Sequence, residues 1–190
     1  MRTRESGMPE ESLWSSFFSV NETLTRLGLT SACGDAVDFG CGYGTFTIAA
    51  ARIVRGKVYG IDIDPNMVRA TCRKAHEEGL TNVIVEQRDF MSAGAGLADG
   101  GVDYAMLFNI LHCEQPEALL AEAWRVLKIG GSLGVIHWKY DASTPRGPSM
   151  NIRPRSEQCL RWAERVGFHP LTTNAIELPP YHYGLTFIKP

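Results

Sequence analysis

The sequence predicts a doubly wound α/β domain, in which a mainly parallel, seven-stranded sheet carries helices on both faces and its last strand runs antiparallel. Three observations carry this expectation. Short apolar runs alternate with stretches of helical periodicity from residue 36 to residue 138, the pattern of repeated strand-helix-strand units with parallel strands. The turn after the first run holds three glycines in five residues, Gly40-Cys41-Gly42-Tyr43-Gly44. The last apolar runs, 170–178 and 183–188, alternate and are split by Pro179-Pro180, which suits a closing antiparallel pair.

Taken in order, residues 11–27 place Leu13, Trp14, Phe17, Val20, Leu24 and Leu27 three or four residues apart, so one amphipathic helix is expected ahead of the first strand. Residues 36–39 read as that strand and 45–54 as the helix after it. Strand 57–61 is followed by helix 65–78, where Asp64 can accept from the free N–H groups of the first turn and Pro65 has no N–H to waste. Gly79 ends that helix. Strand 82–86, strand 102–108, helix 116–127, a turn at Gly130-Gly131 and strand 132–138 complete the repeat. Residues 139–155 form a long connection with the length of a lid. Helix 156–166 follows, with Ser156 as its N-cap candidate and Gly167 at its end.

The chain has 190 residues, 44% hydrophobic and 21% charged, enough for one domain with its own core and too little for two ordinary ones. A single domain over 1–190 is expected, with 10–28 as an N-terminal helical cap. A formal net charge of −2 gives no reason to expect general nucleic-acid or membrane-surface binding, which needs a concentrated basic field. The first residues lack the apolar core of a signal peptide, and no stretch approaches a bilayer span; the expected location is the cytoplasm. Cys33, Cys41, Cys72, Cys113 and Cys159 are odd in number and scattered, without zinc spacing. Reduced thiols and no metal site are expected, and nothing in the spacing shows the converging thiols that arsenic methylation would require.

The sharpest signal is Asp38-Phe39-Gly40-Cys41-Gly42-Tyr43-Gly44, where a strand turns into a helix. Glycines there allow a tight turn and close approach of a ligand to the positive helix end. A dinucleotide loop has a third glycine where this chain has Thr45, and a phosphate would be repelled by Asp38. A ligand with a positive amine would be attracted. Asp62 ends the second strand at the distance where a ribose-binding acid sits in such folds; Asp64 is its competitor, better read as a helix cap.

Asp38 to Gly44, Asp62, Arg88-Asp89-Phe90 and Arg125-Val126-Leu127-Lys128-Ile129-Gly130-Gly131 together resemble the successive motifs of class I S-adenosylmethionine (SAM) dependent methyltransferases, a Rossmann-like family. The resemblance spans about residues 35–138. It implies SAM as cofactor and S-adenosylhomocysteine as product. It implies Asp38, Gly40, Cys41, Gly42 and Gly44 near the amino-acid end of SAM and Asp62, with Ile63 beside it, near the ribose. Asp89 would lie near the adenine amino group, Phe90 against the ring, and Asn109 to Leu111 beneath the cofactor. Ile129 stands where the family usually has Pro, in a turn away from these contacts. The fourth strand ends in Phe108-Asn109-Ile110-Leu111-His112-Cys113, without the Asn-Pro-Pro-Tyr type signature for amino groups of nucleic acids or proteins. A small-molecule acceptor is expected.

His112 and His137 fall at the carboxyl edge of the sheet, where an imidazole could take a proton from the acceptor; His112 is the first candidate for a general base and His137 reads more readily as structural. Cys113 and Cys41 read as packed thiols. Trp14, Phe17 and Phe18 either cover the open edge of the site or belong to the core, and Tyr181-His182-Tyr183 either line the pocket or pack as a strand. Arg146, Arg153 and Arg155 could make the 139–155 connection attractive to an anion, or could be solvated. Two other readings stay open: a SAM-binding sensor or partner subunit without catalysis, and a nucleotide-dependent oxidoreductase, which Asp38 and Thr45 disfavour. The oligomeric state is open.

Overall fold

A computed structural model describes residues 9–190; the leader reading of the first residues lies outside them. Fifteen elements follow in order: α1 (Glu11–Ser15), α2 (Val20–Arg26), β1 (Ala36–Phe39), α3 (Thr45–Ala51), β2 (Val58–Asp62), α4 (Pro65–Glu77), β3 (Val83–Gln87), α5 (Phe90–Ala93), β4 (Val102–Phe108), α6 (Pro116–Val126), β5 (Leu127–Trp138), α7 (Ser156–Val166), β6 (His169–Pro170), β7 (Ile176–Leu178) and β8 (His182–Ile188). The sheet has eight strands in the order β3-β2-β1-β4-β5-β8-β6, with β7 also paired to β8. Strands β1 to β5 pair in parallel. β8 runs antiparallel to β5, His137 opposite Tyr183. The eighth strand arises because the expected run 170–178 divides into β6 and β7, which meet opposite ends of β8.

Because β1 is flanked by β2 on one side and β4 on the other, the strand order reverses there. Crossovers leave a crevice beyond the carboxyl ends of strands at such a switch point. Alternation along β4 distributes its side chains between two layers. Tyr104, Met106 and Phe108 pack with Leu24 of α2 and Phe46 and Ala50 of α3. Ala105 and Leu107 pack with Leu119 and Ala123 of α6 and Cys159 and Ala163 of α7. The Tyr104 hydroxyl donates to the Leu27 carbonyl at 2.8 Å, which fixes the N-terminal helices to the sheet. Gly134 of β5 makes room for that phenol, since a Cβ there would lie 2.2 Å from Tyr104 Oη.

The helix expected over 11–27 is two helices, interrupted at residues 16–19. The hydroxyls of Ser15 and Ser16 donate to the carbonyls of Glu11 (2.9 Å) and Leu13 (2.7 Å), local bonds that compete with helix continuation. The break lets Phe17 and Phe18 turn inward, Phe17 onto Trp138 (5.3 Å between rings) and Phe18 onto Phe46 (5.1 Å). Asp64 caps α4 as expected, its Oδ1 accepting from Asn66 N at 2.8 Å. Ser156 is the first residue of α7 and Arg155 its N-cap; the Arg155 N–H donates to Gln158 Oε1 at 2.9 Å. Gly130 adopts φ +77 where the pairing of β5 with β4 shifts register between Leu127 and Ser132, its N–H held by the Lys189 carbonyl. The five cysteines are free thiols. No helix among the described residues is long and apolar enough to cross a membrane.

Candidate active site

The turn from β1 into α3 takes a conformation that side chains resist. Gly40, Gly42 and Gly44 have φ of +75, +54 and +77, and a Cβ on Gly40 would press on Ile110 Cδ1 at 2.9 Å. The N–H groups of Gly40 and Cys41 both donate to the Ile61 carbonyl, at 2.7 and 3.0 Å. Asp62, at the end of β2, is the organiser: Oδ2 accepts from Gly42 N at 2.8 Å and Oδ1 from Asp64 N at 2.9 Å. From α4, the Thr71 hydroxyl donates to the Gly42 carbonyl at 2.9 Å and Lys74 Nζ to that of Tyr43 at 2.7 Å. The Thr45 hydroxyl, on the first residue of α3, is buried without a partner.

Asp38 is buried at the end of β1, accepting from the Thr47 hydroxyl at 2.6 Å. Burial, reinforced by the negative Asp62 nearby, pushes its carboxyl up to about 7 despite the Thr47 bond. Burial raises Asp62 as well, opposed by the N–H groups of Asp64 and Gly42. This pair of acids stores unfavourable negative charge that a cation would relieve. Cys41 is buried between them and Thr71, and burial followed by the charges of Asp38 and Asp62 drives its thiol far above the ordinary range; it packs and stays protonated.

Asp89 follows β3 and caps the single turn of α5, accepting from Met91 N at 3.1 Å. Phe90 stands edge-on to Phe39 with ring centroids 5.3 Å apart. Ile63 is half-buried beyond Asp62. Asn109, just past β4, is the one non-glycine residue of positive φ (+56) among the described residues. Its N–H donates to the Ile136 carbonyl at 2.7 Å, while both polar atoms of its side-chain amide are buried without a partner. Leu111 turns fully into the core, so at that position the backbone alone can face a ligand. Asp38, the glycine turn, Asp62, Asp89 and Asn109 thus share the carboxyl edge of β1 to β4.

His112 and His137 are brought together by the pairing of β4 with β5. His137 Nε2 lies 3.3 Å from His112 Nδ1. His137 is completely buried, and burial, followed by the fields of His112 and His182, holds its pKa well below the ordinary value; it remains neutral. His112 and Cys113 border a cavity of about 620 Å³ beside this edge, whose other walls come from the 139–155 connection and α7. The connection is built around Arg153, which is neither solvated nor open to an anion, the two alternatives its charge had suggested. Arg153 is 6% exposed and donates to the carbonyls of Pro148 (2.8 Å), Lys139 (3.1 Å) and Asp141 (3.0 Å). It pegs the loop in place.

Trp14, Phe17 and Phe18 pack onto His182 and Trp138 rather than stand over the open edge. His182 is fully buried and neither ring nitrogen has a partner. Burial, then the charges of Arg153 and Lys139, push its pKa down to about 3. A histidine depressed below its unfolded value near 6.5 costs stability as pH falls below that value, because the unfolded chain alone takes the proton. His182→Phe is therefore expected to raise stability by about 2 kcal/mol more at pH 5 than at pH 8, read as the difference in melting temperature. An equal shift at both pH values would contradict this.

The features missed by sequence reasoning are the His112–His137 pair and the α7 wall of the cavity. Residues Gln158, Arg161 and Trp162 were legible as one face of a helix, but not as a face turned to the site.

A parallel sheet with a glycine turn at its switch point, and an acid at the carboxyl end of each of the first two strands, is the arrangement of nucleoside-binding folds, and two buried acids there favour a ligand with positive charge. The methyltransferase domain family matches residues 36–131, half of the chain, and the chain belongs to that family. It is a SAM-dependent methyltransferase domain and its cofactor is SAM. It is 25% identical to a SAM-dependent methyltransferase from Aquifex aeolicus, covering 95% of this chain and 94% of that one with a TM-score of 0.82. It is 30% identical over 115 residues to a demethylmenaquinone methyltransferase of Anoxybacillus flavithermus, 59% of this chain and 47% of that protein. It is 42% identical over 65 residues to a ribosomal protein L11 methyltransferase of Dechloromonas aromatica, 34% of this chain and 21% of that protein. The chain thus spans less than half the length of either curated relative.

Proposed function

We propose that this domain methylates a small-molecule acceptor, bound in the cavity beside His112. The observation that carries the reading is that cavity of about 620 Å³, the size of a small-molecule site, placed next to the edge that holds the glycine turn. Its walls take in Tyr140 and residues 150–155 of the connection, which we read as a loop held in place rather than a moving lid, while residues 10–28 form a helical cap packed on one face of the sheet within the single domain.

The residues at the edge fit the cofactor. The buried negative charge of Asp38 suits its ammonium, the Gly40, Gly42 and Gly44 backbone and the Thr45 hydroxyl its carboxylate end, and Asp62 its ribose. Asp89 would hold the adenine amino group, Ile63 and Phe90 would flank the ring, and the unpartnered amide of Asn109 with the Leu111 backbone would face the cofactor. When bound, SAM supplies a methyl group already activated by its sulfonium. What remains for the protein is alignment and water exclusion, which together can supply most of the acceleration. His112 would take the proton released by the attacking atom at Nε2, an atom now buried that the bound acceptor has to reach, with Nδ1–H donating to His137 Nε2. Because burial keeps His137 neutral, it accepts that bond and steadies the imidazolium. His137 is a positioning residue.

Protein methylation by the L11 methyltransferase relative supplies the competing acceptor class. Incubation with methyl-tritiated SAM and a bacterial extract, split by ultrafiltration, separates the two. Label in the metabolite fraction is expected. Label in macromolecules would overturn the reading in favour of a protein or nucleic-acid acceptor, and SAM binding without transfer to either fraction in favour of a sensor.

A further inference from the structure

The cavity wall opposite His112 is made by the start of α7. Gln158, Arg161 and Trp162 line it, at positions i, i+3 and i+4 of one helical face. Cys159 and Ala163, on the adjoining stripe, are buried in the core. Arg155, at the N-cap of the same helix, also lines the cavity, with its guanidinium over the Tyr140 ring at 3.6 Å. Stacking of this kind fixes the plane of the fork and leaves its N–H groups free to donate sideways.

The two arginines lack the carboxylate partners that several others on this surface have. Arg165, one turn further along α7, pairs with Glu117; Arg52 pairs with Glu78; Arg125 pairs with Asp99 and Glu122. Among the described residues, no ion pair is formed by Arg155 or Arg161. The cavity lining includes a third arginine, Arg153, and one carboxylate, Glu114, on the β4–α6 side. Arg153 has its donors spent on the loop but keeps its charge. The α7 end of the cavity is therefore a cationic wall with two guanidinium groups uncommitted, beside Trp162 and Met150 as apolar surface.

We infer that the acceptor carries an anionic group, a carboxylate or a phosphate, which Arg155 and Arg161 bind while its apolar body lies along Trp162 and Met150 and its nucleophile points to His112. Planar guanidinium forks match both anions with paired hydrogen bonds. The anion anchors one end of the acceptor and sets which atom reaches the methyl group. This rests on the small-molecule reading of the cavity.

The test is binding of benzoate, phenyl phosphate and the neutral benzamide to the protein saturated with S-adenosylhomocysteine, followed by ligand-observed NMR. At least one anion is expected to bind at least about 10-fold more tightly than benzamide, and which anion does so separates carboxylate from phosphate. Arg161→Ala and, independently, Arg155→Gln are expected to cut that affinity about 10-fold or more, with affinity for S-adenosylhomocysteine within about twofold of wild type. Equal binding of benzamide, no binding of either anion up to about 10 mM, or unchanged anion affinity in both variants would overturn the inference. The tritium partition fails separately: label in metabolites with no anion preference removes this inference alone, and label in macromolecules removes the reading on which it rests.

Discussion

Replacing His112 by alanine is expected to lower kcat by about 10²- to 10⁴-fold, the range spanned by a positioned general base, while SAM affinity stays within about twofold of wild type. The imidazole borders the cavity and is held from behind by His137, at 3.3 Å, so its loss removes proton acceptance without touching the glycine turn. Activity of the variant should recover as pH rises far enough to ionise the acceptor, a response that a merely structural defect would not show. His137→Phe keeps the buried volume but removes the nitrogen that accepts from His112, and a loss of about 10-fold in kcat is expected with KM little changed. Steady-state kinetics over a pH series checks both. An alanine variant with unchanged kcat would remove His112 from the chemistry and leave alignment as its whole basis.

Asp62→Ala is expected to weaken SAM binding by about 100-fold or more, equivalent to about 2.7 kcal/mol at 1.36 kcal/mol per tenfold. Two losses combine. The ribose would lose its carboxylate, and the N–H groups of Gly42 and Asp64, held at 2.8 and 2.9 Å, would lose their acceptor where the chain is largely buried. Unpaired buried donors cost about 1–3 kcal/mol each, so the free domain should also melt earlier. Asp62→Asn retains an acceptor oxygen for one of the two donors, and a smaller loss is expected. The measurement is the thermal shift that SAM gives each variant. A full shift in the alanine variant would show that Asp62 is structural and that the ribose lies elsewhere.

Much of the fold was legible because parallel strands buried on both faces read as short apolar runs, and helices between them keep their period. The glycine turn was legible for a related reason: its geometry is set within five residues. Asp62 was placed by its distance from that turn, though its bonds to Gly42 and Asp64 were not foreseen. The cases that failed depend on distant packing. Serine hydroxyls at 15 and 16 and inward-turned phenylalanines at 17 and 18 broke a helix that periodicity alone kept whole. The His112–His137 pair needs β4 beside β5, which a separation of 25 positions does not announce. Arg153 read as an exposed cation because sequence shows its charge but not the carbonyls that surround it, and the cavity wall of α7 became visible once the long crossover had been placed.

The most direct test is calorimetric titration of SAM, and separately of NADH, into the wild-type protein at pH 6 and pH 7.5. Asp38, lying near 7 in the free domain, must give up its proton to face the ammonium of SAM, so binding should release a proton and be about eightfold weaker at pH 6 than at pH 7.5. Micromolar SAM binding with that dependence, and no NADH signal, is the predicted result. NADH binding in place of SAM, or SAM binding with the same affinity and no proton release at both pH values, would contradict the assignment of this edge of the sheet as the cofactor site.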